Sequence, residues 1–158
     1  MKKAVYPGSF DPVTLGHMNI IEKGSRLFDR LAVGVLNNTA KKTMFSAEQR
    51  LAMLRLATAH LSNVSVTSFD GLLADFARSE DTPYILRGLR SYNDFSTEYT
   101  ITTVNKSQDS TLETVFLTPD LPYSYLSSTA VRDLVLYGGR VEAYVPEAVY
   151  RYMQDIKK

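Results

Sequence analysis

The chain has 158 residues, 44% of them hydrophobic, which is near the size of one ordinary domain (1–158) with enough apolar material for one core. Eighteen basic residues against seventeen acidic ones leave a formal charge of +1, so a general basic face for nucleic acid or anionic lipid is not expected and any anion site must be local. There is no cysteine, and His17 and His60 are the two histidines, which excludes disulfides, thiolate nucleophiles and Cys-ligated zinc and argues against a His-rich metal centre.

Met1-Lys2-Lys3 runs into Ala4-Val5-Tyr6 without a long apolar stretch, so neither a signal peptide nor a membrane span is expected, and the expected location is cytoplasmic. Ala4 to Tyr6 is the first of five short β-type runs. Leu31 to Leu36, Val64 to Phe69, Tyr84 to Leu86 and Thr114 to Leu117 follow, each leading into residues of helical character. Helices are expected over 15–28, 72–79, 92–106, 127–137 and 146–157. Another starts at Ser46, where Ser46-Ala47-Glu48-Gln49 reads as a capping box and Leu51, Leu54 and Leu61 share a face. Lys106 to Thr111 reads as a helix-to-strand loop. Gly138-Gly139 ends the fifth helix, and Pro146 suits the first turn of the last. No repeat, charge block or linker divides the chain. The alternation predicts an α/β fold, a Rossmann-like doubly wound five-stranded parallel sheet with C-terminal helices. Ligands of such sheets bind at the carboxyl ends of the strands where strand order reverses.

The loops leaving those strands therefore carry the chemistry. Pro7 to His17 joins the first strand to the first helix: Gly8 admits a close ligand, Ser9 offers a hydroxyl, and Thr14 caps a helix whose first turn holds Gly16 and His17. A helix start attracts phosphate, and His17 there is placed to donate to a phosphate oxygen as charge builds. A lone histidine is ordinarily satisfied at a cap; the flanking Gly-Ser-Phe-Asp-Pro and Thr-x-Gly-His reverse that reading here. Asp11 and Pro12 read as loop architecture, with Asp11 making a local turn and no catalytic role. Neither Gly-x-Gly-x-x-Gly nor Gly-Lys-Ser/Thr follows the first strand, which removes dehydrogenase and P-loop kinase readings.

After the second strand comes Lys41-Lys42-Thr43-Met44-Phe45. A lysine pair is ordinarily solvated surface, yet the Lys41 ammonium ends a loop from which it can reach phosphate as a point charge. After the fourth comes Arg87-Gly88-Leu89-Arg90, two guanidinium forks of a shape that fits phosphate. After the fifth, Leu126-Ser127-Ser128-Thr129 stacks hydroxyls and free N–H groups at a helix start, where a cap needs one serine.

With Thr14-Leu15-Gly16-His17, these segments resemble the nucleotidyltransferase superfamily marked by Thr/His-x-Gly-His, and within it the bacterial phosphopantetheine adenylyltransferases with their Lys-Lys-x-Met-Phe, Arg-Gly-Leu-Arg and Ile-Ser-Ser-Ser/Thr motifs. The likeness spans essentially the whole chain. It implies transfer of AMP from ATP to 4′-phosphopantetheine, giving dephospho-coenzyme A and pyrophosphate in coenzyme A biosynthesis. It implies His17 and Lys41 as catalytic residues. Ser9, Lys41, Leu73, Arg87 and Asn105 are implied on the phosphopantetheine side. On the ATP side it implies Ser9, Phe10, His17, Gly88, Leu89, Arg90 and Glu98, together with Tyr123, Ser124, Tyr125, Leu126, Ser127, Ser128 and Thr129. In-line attack by the substrate's own phosphate needs no protein nucleophile. Mg²⁺ is the expected cofactor, held through ATP phosphates and waters with no protein metal site. Coenzyme A as a candidate feedback inhibitor and a homohexamer belong to the same implication, with no nucleic-acid or membrane partner.

Departures from the family pattern are Ser96-Thr97-Glu98 in place of Glu-Tyr-Glu, Thr39 in place of Pro, and Thr102 and Thr103 in place of apolar residues. They bear on the edge of the nucleotide pocket and on substrate packing. Two other readings are an enzyme of the superfamily acting on nicotinamide mononucleotide or a small alcohol phosphate, and a nucleotide-binding regulator without chemistry. The Lys-Lys-x-Met-Phe and Arg-Gly-Leu-Arg segments argue against the first, and intact Ser9, His17 and Lys41 against the second.

Overall fold

Period-two alternation along the strands sorts the apolar side chains into two layers. In the first strand, β1 (Lys3–Gly8), Ala4 and Tyr6 face one core and Val5 the other; in β2 (Arg30–Leu36), Leu31, Val33 and Val35 join the first core and Ala32 the second. A computed structural model describes residues 1–37 and 42–156, so the expectations placed on Thr39 and Lys41 lie outside the described residues.

The remaining elements follow in chain order: α1 (Leu15–Leu27), α2 (Ala47–Thr58), β3 (Val64–Phe69), α3 (Leu73–Ser79), β4 (Tyr84–Gly88), α4 (Tyr92–Gln108), β5 (Glu113–Leu117), a 3₁₀ turn at Leu121–Tyr123, α5 (Ser128–Leu136) and α6 (Glu147–Asp155). The sheet order is β3-β2-β1-β4-β5, and every pairing is parallel. The predicted five-stranded doubly wound sheet is thus present, and its order reverses between β1 and β4. One core packs β1, β2 and Leu86 of β4 against α1, α2, α5 and α6; the other packs Val5, Ala32 and Ile85 against Ala74, Phe76 and Ala77 of α3. Among the described residues no helix is long and apolar enough to cross a membrane.

The helix ends obey local chemistry. Ser46 and Gln49 close the predicted capping box, each side chain taking or receiving the other's backbone bond. Gly138, at φ +72, ends α5: its N–H reaches the Val135 carbonyl and that of Gly139 the Leu134 carbonyl, a Schellman pair.

Several boundaries differ from the sequence reading, among them the end of β4, which runs on through Arg87 and Gly88. β1 extends through Pro7 and Gly8, because Gly8 continues the ladder opposite Val35. α4 runs on through Gln108, so the loop before β5 begins at Asp109, whose own N–H still reaches the Asn105 carbonyl. Pro146 stands at the N-cap of α6, one residue before the first turn. Ser127 likewise caps α5 from outside it.

Candidate active site

The strand-order reversal opens a cavity of about 300 Å³ between the carboxyl ends of β1 and β4. Beside it lies a second cavity of about 360 Å³, and the two share the wall formed by Pro7, Gly8, Ser9 and Arg87. The first is lined by charged and hydroxyl groups; the second has Leu36, Phe69, Leu73 and Ile101 with Thr43 and Asn105 among them. A polar chamber is thus joined to a more apolar slot.

His17 stands at the third position of α1 and completes the helix cap itself. The Thr14 hydroxyl accepts the His17 backbone N–H at 3.3 Å, and the Thr14 backbone N–H donates to His17 Nδ1 at 3.1 Å. A ring nitrogen that accepts from a backbone N–H carries no proton, so the neutral ring holds its proton on Nε2. Nε2 has no protein partner among the described residues, and His17 lines the first cavity. Both readings of His17 are therefore true at once: one edge caps the helix and the other offers a donor to a ligand.

Burial, with Arg90 and Arg87 adding to it, lowers the His17 pKa to about 4. Imidazole nitrogen NMR between pH 5 and 8 is expected to show an unchanging Nε2-protonated ring; a titration centred near 6.5 would reject this assignment. The sign for stability follows. An unfolded histidine takes up its proton at about pH 6.5 and the folded one only near 4, so the fold loses stability as pH drops through that window.

Phe10 is buried at a left-handed φ of +44 and lays its ring against Gly8; a Cβ there would meet the ring at 2.9 Å, so only glycine lets the loop close. The same ring meets His17 edge-on at 5.1 Å and holds it in place.

The two arginines of the β4 exit are fixed before any ligand arrives. Arg87 Nε donates to Glu98 Oε2 at 2.7 Å, its Nη2 to Glu98 Oε1, and its Nη1 to the Pro7 carbonyl at 2.8 Å. Arg90 is clasped by Asp94 through Nε at 3.1 Å and donates from Nη1 to the Leu126 carbonyl at 2.9 Å. Glu98 lines the first cavity, but its carboxylate is engaged with Arg87. Arg87 faces both cavities and Arg90 the first alone.

At the start of α5 one hydroxyl proton is already spent, while the other two hydroxyls accept and keep their protons. Ser127 caps Ala130 N–H, Ser128 donates to the Pro12 carbonyl at 2.8 Å, and Thr129 Oγ1 accepts from Arg132. The expected cradle therefore keeps the backbone N–H groups of Ser128 and Thr129 and the hydroxyl protons of Ser127 and Thr129, and loses that of Ser128.

Of the residues expected in the site, Ser9, Phe10, His17, Arg87, Gly88, Arg90, Glu98, Tyr123, Leu126, Ser127, Ser128 and Thr129 line the first cavity, and Leu73 and Asn105 the second with Ser9 and Arg87. Leu89, Ser124 and Tyr125 do not. Leu89 has its N–H on the Leu117 carbonyl, Ser124 Oγ donates to the Leu121 carbonyl, and Tyr125 is exposed. Lys42 is exposed.

The sequence reading missed Tyr6, Asp94 and Arg132, which also line the first cavity. Arg132 donates from Nη1 to the Asp11 carbonyl at 2.8 Å. Its signal was its place one turn beyond Ser128 on the helix that starts at the cavity. For Asp94 the signal was the i,i+4 spacing from Arg90.

Asp11 and Pro12 form the turn that the sequence reading placed there, and Asp11 does more than turn the chain. Its buried carboxylate accepts the N–H groups of Met44 and Phe45, both at 2.9 Å, and so ties the β1–α1 loop to the residues before α2. This tie was not legible beside the turn because the partners lie more than thirty residues downstream.

Residues 5–134 match the family model described as cytidylyltransferase-like. The chain is similar to the phosphopantetheine adenylyltransferases of Clostridium botulinum (strain Eklund 17B / Type B), 46% identical over 149 residues covering 94% of each chain. It is 49% identical to that of Synechococcus elongatus over 152 residues, covering 96% of this chain and 92% of the relative. For Aliivibrio fischeri (strain MJ11) the figures are 47% identity, 98% and 99%. A solved structure of a candidate nicotinate-nucleotide adenylyltransferase from Vibrio parahaemolyticus superposes with a TM-score of 0.70 at 19% identity, covering 98% of this chain and 93% of that one, which is a likeness of fold.

Proposed function

The chain belongs to the cytidylyltransferase-like family and, within it, to the phosphopantetheine adenylyltransferases, and from that premise we propose that it transfers AMP from ATP to 4′-phosphopantetheine, giving dephospho-coenzyme A and pyrophosphate. The observation that carries the reading is the pair of cavities sharing one wall at Arg87 and Ser9. The polar chamber suits the triphosphate, and the more apolar slot suits the pantetheine arm, with Asn105 and Thr43 available to its amides. A phosphate at the mouth of the slot then faces the α-phosphorus of a nucleotide in the chamber.

In this reading the protein supplies position and charge. The acceptor's phosphate oxygen attacks the α-phosphorus in line and pyrophosphate leaves, so no side chain forms a covalent bond. The His17 Nε2–H donates to an α-phosphate oxygen as charge gathers there, and it remains protonated through the step because the ring is neutral already. Arg87 serves the acceptor phosphate and Arg90 the nucleotide; their clasps by Glu98 and Asp94 leave the remaining guanidinium hydrogens aimed without reorganisation. The N–H groups at the start of α5 receive the β- and γ-phosphates. Lys41 adds its ammonium to the acceptor phosphate, as the family motif implies. Mg²⁺ enters on ATP as part of that substrate, since the cavity's carboxylates, Asp94 and Glu98, are each paired with an arginine. Feedback by coenzyme A and a hexameric assembly are parts of the same proposal.

The test is pyrophosphate release by the purified protein with ATP, Mg²⁺ and 4′-phosphopantetheine, beside nicotinamide mononucleotide and glycerol 3-phosphate as rival acceptors. Release with phosphopantetheine alone is expected. Release with a rival alone would move the acceptor, and silence with all three despite ATP binding would leave a regulator.

A further inference from the structure

Tyr6 belongs to no motif, yet it lines the polar cavity. It is 5% exposed, lies on β1 within the core that packs against α1, and lines the first cavity but not the second. Its hydroxyl has no hydrogen-bond partner among the described residues. Arg50 Nε is the one side-chain polar atom among them that is both sealed from solvent and unpartnered, so the Tyr6 oxygen, equally without a partner, opens to the cavity.

Its direction is fixed. The ring meets Phe10 edge-on at 5.4 Å, and Phe10 in turn meets His17 at 5.1 Å, so three rings form one packed row along the floor. A Cβ built on Gly88 would lie 3.8 Å from the Tyr6 oxygen, which places the hydroxyl beneath the glycine of Arg87-Gly88-Leu89-Arg90. Ile20, 3.1 Å from the same point, closes the other side, and Gly88, Ile20 and Tyr6 all line the first cavity.

From this geometry we infer that the Tyr6 hydroxyl donates a hydrogen bond to an oxygen of the nucleotide held in the first cavity, which makes it a further binding residue for that substrate. Burial pushes the phenol up to about 12 against the pull of Arg87 and Arg90, so the proton stays on the oxygen at neutral pH and the group acts as a donor. A core position alone would be served as well by phenylalanine, because a buried hydroxyl without a partner is unfavourable while the cavity lacks its ligand. The inference rests on the reading of the first cavity as the ATP side, and the experiment separates the two.

Tyr6→Phe and wild type are compared by calorimetric titration with Mg·ATP alone, by titration with 4′-phosphopantetheine alone, and by thermal unfolding without ligand. The expected variant unfolds at the same temperature or higher, binds Mg·ATP about ten- to a hundredfold more weakly, and binds the acceptor as wild type does. Opposite movements of stability and nucleotide affinity are what a merely structural tyrosine would not produce. Equal Mg·ATP affinity in the two proteins overturns the inference, and so does a lowered unfolding temperature with both ligands weakened together. Failure of the wild type to bind Mg·ATP overturns the ATP reading of the cavity, and this assignment with it.

Discussion

His17→Ala is expected to lower kcat by about two to three orders of magnitude while leaving a folded protein that still binds ATP. The size follows from removing one donor preorganised toward developing phosphate charge, typically worth about 10²–10³ in kcat. The donor is preorganised because three features fix it independently. The Thr14 N–H on Nδ1 places the proton on Nε2, Phe10 braces the ring, and the depressed pKa keeps the ring neutral at working pH. The variant also loses the acceptor for the Thr14 N–H, which costs about 1 kcal/mol of helix capping, so its unfolding midpoint should fall modestly. Turnover measured well below that midpoint separates the two effects. Near-normal turnover would remove His17 from the chemistry and leave it a cap.

How much of this was legible in the sequence depended on how far each residue's partners lie along the chain. The strands, the Ser46 capping box and the Gly138 stop were legible because their causes are local: alternation within five residues, a side chain three residues from the N–H it caps, a glycine able to take φ +72. The site loops were legible because a doubly wound sheet delivers every strand exit to one edge, so motif residues far apart in sequence had to meet. What escaped was pairing across the sheet. Arg87 and Glu98 are eleven residues apart on different elements, and nothing local said that the carboxylate would hold the arginine. Arg50 follows the Ser46 capping box and carries no motif of its own. It is 2% exposed and donates from Nη1 to the carbonyls of Ser9 and Leu36, joining the ends of β1 and β2 behind the shared wall. Tyr6 read as one more β-strand aromatic, since a hydroxyl's lack of a partner is visible only when all its neighbours are placed.

Asp11 adds to the turn expected of it two long-range bonds that the sequence did not announce, and its removal should be the most destabilising single change around the site. Asp11→Ala leaves the Met44 and Phe45 N–H groups without their acceptor, and it strips buried Arg50 of the nearby negative charge that opposes its desolvation. It also loosens the Arg132 guanidinium, 3.8 Å from the carboxylate. Breaking a buried charged network by deleting one partner typically costs about 3–5 kcal/mol, a large share of the stability of a domain this size. Asp11→Asn should fall between alanine and wild type, because it keeps the volume and one acceptor oxygen but cannot serve both N–H groups and the arginines. Denaturant midpoints for the three proteins provide the ranking. If the second cavity holds the acceptor as proposed, the kinetic counterpart is a raised KM for the acceptor with a smaller change for ATP, since the tether ends next to Thr43, which lines that cavity. Wild-type midpoints in both variants would mean that Asp11 only shapes its own turn, and the tie between the two loops would then have to be carried by Arg50 alone.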